Sequence, residues 1–173
     1  MSNLKPGIQT IDWSSSSAGY KSVQKLWGWF KTWFENNCLS LKRLNLSNNK
    51  LSDRAGVCLS KGLRSVEIDL EELDLSKNLI GDMTPIDLAK FIEFSYTMKI
   101  LNLGWNNISA KGGIPLFFSI YKGRTLRNLN MSYNCLGRGN SIEIIEMVVE
   151  AVNEETLKHL DLSFNNLNFL YWK

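Results

Sequence analysis

The stretch LKRLNLSNNKL, from Leu41 to Leu51, decides the fold. Leucines stand at its first, fourth, sixth and last positions, and Asn49 stands between the last two of them. The middle of the stretch alternates apolar and polar residues, which is typical of a half-buried β-strand. The same frame of leucines and asparagine returns later in the chain, so the stretch is one unit of a repeat.

The frame L-x-x-L-x-L-x-x-N-x-L occurs five times. The later copies read LEELDLSKNLI at 70–80, MKILNLGWNNI at 98–108, LRNLNMSYNCL at 126–136 and LKHLDLSFNNL at 157–167. Successive asparagines are 29, 28, 28 and 31 residues apart, at Asn49, Asn78, Asn106, Asn134 and Asn165. A fixed period of this length indicates stacked units, each burying its apolar face against the next.

Apolar residues at helical spacing follow the first four predicted strands. The predicted buried faces are Ala55, Leu59 and Leu63; Leu88 and Ile92; Gly112, Leu116 and Ile120; and Ile145, Val149 and Val152. Thr84-Pro85 predicts a helix cap followed by proline at the first helical position, and Asn140-x-x-Glu143 predicts a capping box. Gly112-Gly113 and Gly137-x-Gly139 are predicted to lie in strand-to-helix turns.

These frames resemble the leucine-rich-repeat family, and the period near 28 matches its ribonuclease-inhibitor-like subclass. The resemblance implies an α/β solenoid, a right-handed partial horseshoe with a parallel β-sheet on the concave face and helices on the convex face. Residues 1–40 would form a degenerate repeat and an aromatic capping helix. Residues 41–173 would form five repeats, the last without its helix. The repeated asparagines are interpreted as structural, because their amides can satisfy backbone groups in the turns.

The two ends depart from the repeat. Residues 8–19 are interpreted as a decayed repeat with Ser16 in the asparagine position, and 20–36 as an amphipathic helix. That helix caps the solenoid, or it presents Trp29 and Trp33 to a partner. The last residues include a run of four large apolar side chains, 169–172. Three explanations stay open: the tail folds back as a cap, a partner covers it, or the chain is a fragment of a longer one.

Polar side chains alternate with the buried leucines and are expected to face the concave surface. This face is mixed in sign, which suits a protein surface and does not suit an apolar small molecule. The candidate partner-binding residues on it are Arg43, Glu72, Asp74, Asn102, Asn128, His159 and Asp161; the tail adds Phe169, Tyr171 and Trp172.

An aromatic residue precedes the asparagine in three successive repeats, at Trp105, Tyr133 and Phe164. Neighbouring strands lie about 5 Å apart, so these rings can form a continuous strip. Trp and Tyr are enriched among interface hot spots, which makes the strip the preferred contact site. The alternative is that the rings cover the loop edge and stack on one another.

Composition limits the classes of partner and the cellular compartment that we expect for this chain. A net charge of +3 without a basic cluster does not indicate nucleic acid, and neither a membrane-length apolar run nor a secretory signal is present. Cys38, Cys58 and Cys135 are an odd number without metal-ligand spacing, which predicts free thiols in a reducing compartment. The expected location is cytoplasmic, including a cytoskeletal or ciliary particle.

Catalytic motifs are missing from the sequence: it has one histidine, His159, and no serine elbow, phosphate loop or metal-ligand cluster. We predict a non-catalytic protein–protein interaction module or a scaffold subunit of a larger assembly, without a cofactor and without a small-molecule, nucleic-acid or membrane partner. The alternative is a small-GTPase regulator, because the repeats resemble those of Ran GTPase activators. No functional arginine of that family can be matched to this sequence residue by residue, although Arg54 and Arg138 lie in the same general loops.

Overall fold

The computed structural model describes residues 8–17, 19–25, 28, 41–65, 68–139, 141–153 and 156–167. The strands in these ranges are β1 (Thr10–Asp12), β2 (Arg43–Asn45), β3 (Glu72–Asp74), β4 (Ile100–Asn102), β5 (Asn128–Asn130) and β6 (His159–Asp161). The helices are α1 (Asp53–Ser65), α2 (Met83–Phe94), α3 (Ala110–Gly123) and α4 (Ser141–Asn153), and residues 20–25 are also helical. None of the described helices combines the length and the apolar character that a membrane span requires.

The six strands form one parallel sheet in the order β1-β2-β3-β4-β5-β6. Every strand therefore pairs with its neighbour in sequence, as in a solenoid. The central residue of each strand keeps the register, from Ile11 through Leu44, Leu73, Leu101 and Leu129 to Leu160. The expected α/β solenoid is confirmed, with β1 extending the sheet before the first full frame.

The core lies between the sheet and the helices. Frame leucines such as Leu44, Leu73 and Leu101 are almost completely buried, and Leu59, Leu88 and Leu116 of the helices pack against the same cluster. Each of these side chains is removed from water, which stabilises the fold by roughly 1.5–3 kcal/mol per large apolar side chain. One strand and one helix alone could not enclose such a core, so the repeats stabilise one another.

The repeated asparagines form a buried ladder between the turns. The Asn78 side-chain oxygen accepts the backbone N–H groups of Asn49 and Leu51, both at 2.9 Å. Its amide nitrogen donates to the carbonyl oxygens of Leu46, Leu75 and Ser76 at 2.9–3.1 Å. The other members repeat this pattern in part or in full: Asn49, Asn106, Asn134 and Asn165. The structural interpretation of the asparagines is confirmed.

The predicted cap of α2 is wrong. The helix begins at Met83, so Thr84 and Pro85 lie inside its first turn. The N–H and hydroxyl of Thr84 instead donate to the Asp53 carboxylate of the preceding repeat, at 2.9 and 2.7 Å. Gly81 donates its backbone N–H to the same oxygen at 3.1 Å. A carboxylate from the neighbouring repeat therefore accepts the N–H groups at the start of this helix, where the sequence predicted a local cap.

The predicted buried face of α4 is also wrong in part. Val152 is 41% exposed, whereas Ile144 and Ala151 are completely buried. Apolar residues occupy most sides of this helix, so the sequence does not define a single stripe, and packing on α3 sets the rotation. The pair Gly112-Gly113 lies within α3 rather than in a turn.

Gly112 and Gly113 are tightly packed, because a Cβ on Gly112 would lie 2.9 Å from the Asp82 backbone and one on Gly113 would lie 2.8 Å from Leu136. Gly139 does hold the positive φ, +101°, that the turn prediction required.

Cys58 and Cys135 are free thiols, as predicted. Burial raises the pKa of the Cys58 thiol. Several predictions fall on residues outside the described ranges: the later part of the N-terminal helix with Trp29 and Trp33, the Asn140 capping box, Cys38, and the aromatic tail.

Candidate functional site

Trp105, Tyr133 and Phe164 form one continuous stack of rings, called the aromatic strip below. The ring centroids of Trp105 and Tyr133 are 3.8 Å apart with planes 15° from parallel. Those of Tyr133 and Phe164 are 4.1 Å apart at 14°. Trp105 is 51% exposed and Phe164 66% exposed, so both ends of the strip are open to solvent, whereas Tyr133 between them is half-buried.

The backbone of the strip has an uncommon conformation. Trp105, Tyr133 and Phe164 have φ values of +58°, +53° and +56°. The same position holds Asn48 and Lys77 in the first two frames, both at φ +55°. The left-handed region costs a bulky L-residue roughly 1–2 kcal/mol, and asparagine tolerates it best among residues with a side chain. The repeat requires this backbone, but it does not require a ring there.

Backbone hydrogen bonds fix the main chain of the first two strip residues. Trp105 donates its N–H to the Ser132 carbonyl at 2.8 Å, and Tyr133 donates to the Ser163 carbonyl at 2.9 Å. The strip therefore continues the parallel ladder one step beyond the strands. Its spacing is fixed by the repeat and not by the side chains themselves.

A shallow groove of about 560 Å³ lies on the sheet over β4, β5 and β6. The predicted site residues Asn102, Asn128, His159 and Asp161 line it, together with Ile100. These strands belong to the same three repeats that carry the aromatic strip. The structure thus brings four of the predicted concave residues and all three aromatic residues to one half of the solenoid.

The remaining predicted residues of the strands lie on the other half. Arg43 on β2 and Glu72 on β3 form an ion pair with Nε and Oε1 3.0 Å apart. Asp74 accepts a hydrogen bond from the Asn102 side chain at 3.2 Å. Phe169, Tyr171 and Trp172 lie outside the described residues.

The last residue of every described strand builds a turn, a role that the sequence interpretation missed. One side-chain oxygen of this residue accepts the backbone N–H two residues further on, at 2.8–3.1 Å. The pairs are Asp12–Ser14, Asn45–Ser47, Asp74–Ser76, Asn102–Gly104, Asn130–Ser132 and Asp161–Ser163. The Asp or Asn two residues before Ser or Gly was the available signal, because such side chains favour these turns.

These turns also set the charge of the acidic members. The Ser163 backbone N–H lowers the pKa of the Asp161 carboxyl, and the Ser14 backbone N–H does the same for Asp12. At the start of the strands, Glu71 lies between two lysines: its carboxylate is 2.7 Å from Lys99 Nζ and 3.5 Å from Lys42 Nζ. The hydrogen bond from Lys99 lowers the pKa of Glu71. Each carboxylate is therefore ionised at neutral pH.

Exposed apolar side chains occur outside the predicted site as well. Phe94 is 70% exposed and Tyr96 91% exposed, between the end of α2 and the start of β4. The aromatic strip follows the opposite ends of the strands, so the two sets lie on different edges of the solenoid. No repeated frame position contains Phe94 and Tyr96, which is why the sequence pattern did not indicate them.

Two residues were associated with the GTPase-regulator alternative. Arg54 lies in the first turn of α1, where its guanidinium carbon is 4.1 Å from the centre of the Tyr20 ring. Arg138 is exposed in the turn that follows Leu136. The regulator alternative stays a prediction. Among the described residues, His, Cys, Asp and Glu side chains form no group of three or more that could hold a metal ion.

Comparison with known families identifies the repeats. A family profile described as Leucine Rich repeat matches residues 37–60, 95–117 and 154–168, and a second, Leucine Rich Repeat, matches 69–91. Together these segments contain four of the five frames.

Two curated relatives are similar to this chain in sequence. Adenylate cyclase of Schizosaccharomyces pombe is 30% identical over 147 residues, which cover 78% of this chain and 8% of the relative. Protein NLRC5 of Mus musculus is 34% identical over 83 residues, 48% of this chain and 4% of the relative. The chain spans less than a tenth of either relative's length.

A solved structure has the same architecture. The Leiomodin-1 Actin-Binding Site 2 (ABS2) matches with a TM-score of 0.62 at 13% identity, covering 87% of this chain and 84% of that chain. At this identity the match concerns the fold. The repeat profiles, the parallel sheet and this likeness agree, and the chain is a leucine-rich-repeat protein.

Proposed function

We propose that the chain is a protein–protein interaction module that contacts its partner through the aromatic strip and the adjoining groove over β4–β6. The observation that carries the proposal is the left-handed backbone under three stacked aromatic residues, of which Trp105 and Phe164 are exposed. Strained conformations at bulky residues are concentrated at functional sites, where another requirement outweighs their cost.

The first two frames supply the comparison within the molecule. Asn48 and Lys77 hold the same backbone without a ring, and the sheet keeps its register beside them. Ring stacking contributes about 0.5–1.5 kcal/mol per pair, which is similar to the backbone cost. The strip therefore adds little net stability, whereas exposed Trp and Tyr side chains contribute strongly to interfaces.

The groove adds specificity to the same surface. Its side chains offer amide donors and acceptors on Asn102 and Asn128, a carboxylate on Asp161 and an imidazole on His159. Apolar contacts combined with polar groups around them are the usual composition of a protein interface. Such an open groove is unsuited to enclosing a small molecule.

The finer proposal is a scaffold subunit of a larger cytoplasmic assembly, of the cytoskeletal or ciliary kind. It is supported by analogy of fold alone. A first test is co-sedimentation with actin filaments, because the Leiomodin-1 structure is named for actin binding. Sedimentation with filaments would favour the cytoskeletal kind, and absence from the pellet would argue against actin as the partner.

Affinity capture from native extract tests the proposal itself. Three baits are compared: the wild-type chain, a Trp105→Asn/Tyr133→Asn variant, and a Phe94→Asn/Tyr96→Asn variant that removes two exposed aromatic side chains from the opposite edge. Asparagine replaces the strip residues because it tolerates the left-handed backbone. We expect the first variant to lose specific partners that the wild type and the control retain. Equal capture by all three baits would contradict the proposal.

A further inference from the structure

We propose that Phe164 and Asp161, at one end of the aromatic strip, form a binding site for an arginine side chain of the partner protein. The inference rests on the proposed function, because it assigns a chemistry to one end of the same surface. It concerns a single ring face and a single carboxylate, so it can fail while the strip still binds a partner.

The ring of Phe164 has a face available for stacking. Tyr133 covers one face at a centroid distance of 4.1 Å. Phe164 is nevertheless 66% exposed, which is more than Trp105 at the other end of the strip. A flat cation laid on this ring would continue the stack, and guanidinium is the protein cation with that shape.

Asp161 supplies the complementary charge. Its Oδ1 atom accepts the backbone N–H of Ser163 at 2.9 Å, and Phe164 is the next residue. The carboxylate is therefore held on the same turn as the ring, and its side chain is exposed. The carboxylate is ionised at neutral pH, and the turn bond lowers its pKa further below the ordinary value of 3.8. Guanidinium donates in a planar fork to carboxylates, so one arginine can contact both groups.

Lys158, three residues before Asp161, is separated from it by about 10 Å of extended backbone, and both residues line the groove over β4–β6. The chain already contains one arginine on an aromatic ring, Arg54 over Tyr20 at 4.1 Å. That pair shows the geometry expected on Phe164.

Asp12 provides a matched control at the other end of the sheet. It ends β1 as Asp161 ends β6, and its Oδ1 atom accepts the Ser14 N–H at 2.8 Å. The same kind of bond lowers its pKa. The following residue is Ser15, with φ +53° but without a ring. Asp12→Asn and Asp161→Asn thus remove the same charge from the same turn, and only one of them borders the strip.

The test is a titration of the chain with a short peptide of alternating glycine and arginine, followed by amide chemical shifts. The control peptide carries citrulline, which has the shape of arginine without its charge. We expect shifts at Asp161, Ser163 and Phe164, and binding that is roughly fivefold weaker for the citrulline peptide. Asp161→Asn and Phe164→Asn should each weaken arginine binding by a similar factor, and Asp12→Asn should not.

Folding of the variants is checked by thermal unfolding. Asparagine already ends β2, β4 and β5 in the same turn, so Asp161→Asn is compatible with the fold. Equal binding of the two peptides, or equal effects of Asp161→Asn and Asp12→Asn, would overturn the inference. The two peptides could bind equally while the Trp105→Asn/Tyr133→Asn variant still loses its partners in the affinity capture. That result would reject the arginine site and leave the proposed interaction module intact.

Discussion

The rings of Trp105 and Tyr133 lie 3.8 Å apart and nearly parallel, although both residues hold a left-handed backbone. Their stacking follows from the solenoid, which repeats one backbone conformation at a fixed spacing in successive turns. The side chain at this position in one repeat therefore contacts the side chain at the same position in the next repeat. A row of identical turns thereby becomes a continuous surface.

Substitution of Trp105 tests the cost of its backbone. Trp105→Asn should leave the free energy of unfolding within about 1 kcal/mol of the wild type, because relief of strain offsets lost stacking. Trp105→Val should be at least about 1 kcal/mol less stable than the asparagine variant, since a β-branched residue is disfavoured at positive φ. Urea unfolding followed by circular dichroism measures both. A valine variant as stable as the asparagine variant would show that the left-handed backbone carries no such penalty.

The asparagine ladder should be essential to stability. Asn78→Ala removes five hydrogen bonds and leaves buried backbone groups without partners. We expect a loss of about 3 kcal/mol in unfolding free energy. Asn107→Ala is the control, because Asn107 lies in the corresponding part of the next turn but is exposed. Similar effects of the two substitutions would argue against a special role for the ladder.

The helix start shared between repeats gives a third prediction. Asp53→Ala removes the acceptor of Gly81 and Thr84 and should cost about 1–2 kcal/mol, in the range of a lost helix cap. Asp53→Asn retains a side-chain oxygen and should recover part of this loss. Asp69→Ala is a control on an exposed carboxylate. Chemical denaturation separates the three variants, and an alanine variant at Asp53 with wild-type stability would contradict the shared cap.

Acid should destabilise the fold in part through Glu71. Its pKa is below the ordinary 4.5 because Lys99, and then Lys42, bind the charged form. The unfolded chain therefore takes up a proton more readily than the folded chain. The contribution of Glu71 is fully present above pH 4.5 and is lost as the pH falls through the folded pKa.

Glu71→Gln should accordingly flatten the fall in unfolding midpoint between neutral and acid pH, with Asp69→Asn measured beside it as the control. Midpoints of urea unfolding across this range provide the comparison. An unchanged acid slope in Glu71→Gln would mean that the lysines contribute no charge-dependent stability here.

The repeat frame alone predicted much of the fold. Leucines such as Leu44 and Leu73 recur with a period that predicts stacked repeats. The asparagines recur with the same period, so their ladder was predictable as well. The cap of α2 was not predictable, since its acceptor, Asp53, belongs to another repeat and is distant in sequence. The rotation of α4 was not predictable either, because Ile144 and Val152 are equally apolar and only packing distinguishes them.

The candidate site was visible in the sequence as a row of aromatic letters, but its backbone was not. The sequence around Trp105 does not indicate a positive φ. The only indication is Asn48 at the equivalent position of the first frame, because asparagine tolerates the left-handed region. The turns at Asp74, Asn102 and Asp161 were interpreted as contact residues because alternation places them on the open face. The structure shows that one oxygen of each accepts a hydrogen bond within its turn, and that the second polar atoms of Asp74 and Asn102 bond to each other.

The most direct test of the aromatic strip is the dissociation constant of a captured partner, measured beside the unfolding free energy for the wild type and the Trp105→Asn/Tyr133→Asn variant. We predict that the variant binds at least about tenfold more weakly while its stability stays within about 1 kcal/mol. Unchanged affinity, or a loss of binding matched by a loss of stability, would contradict the claim that the strip is a recognition surface.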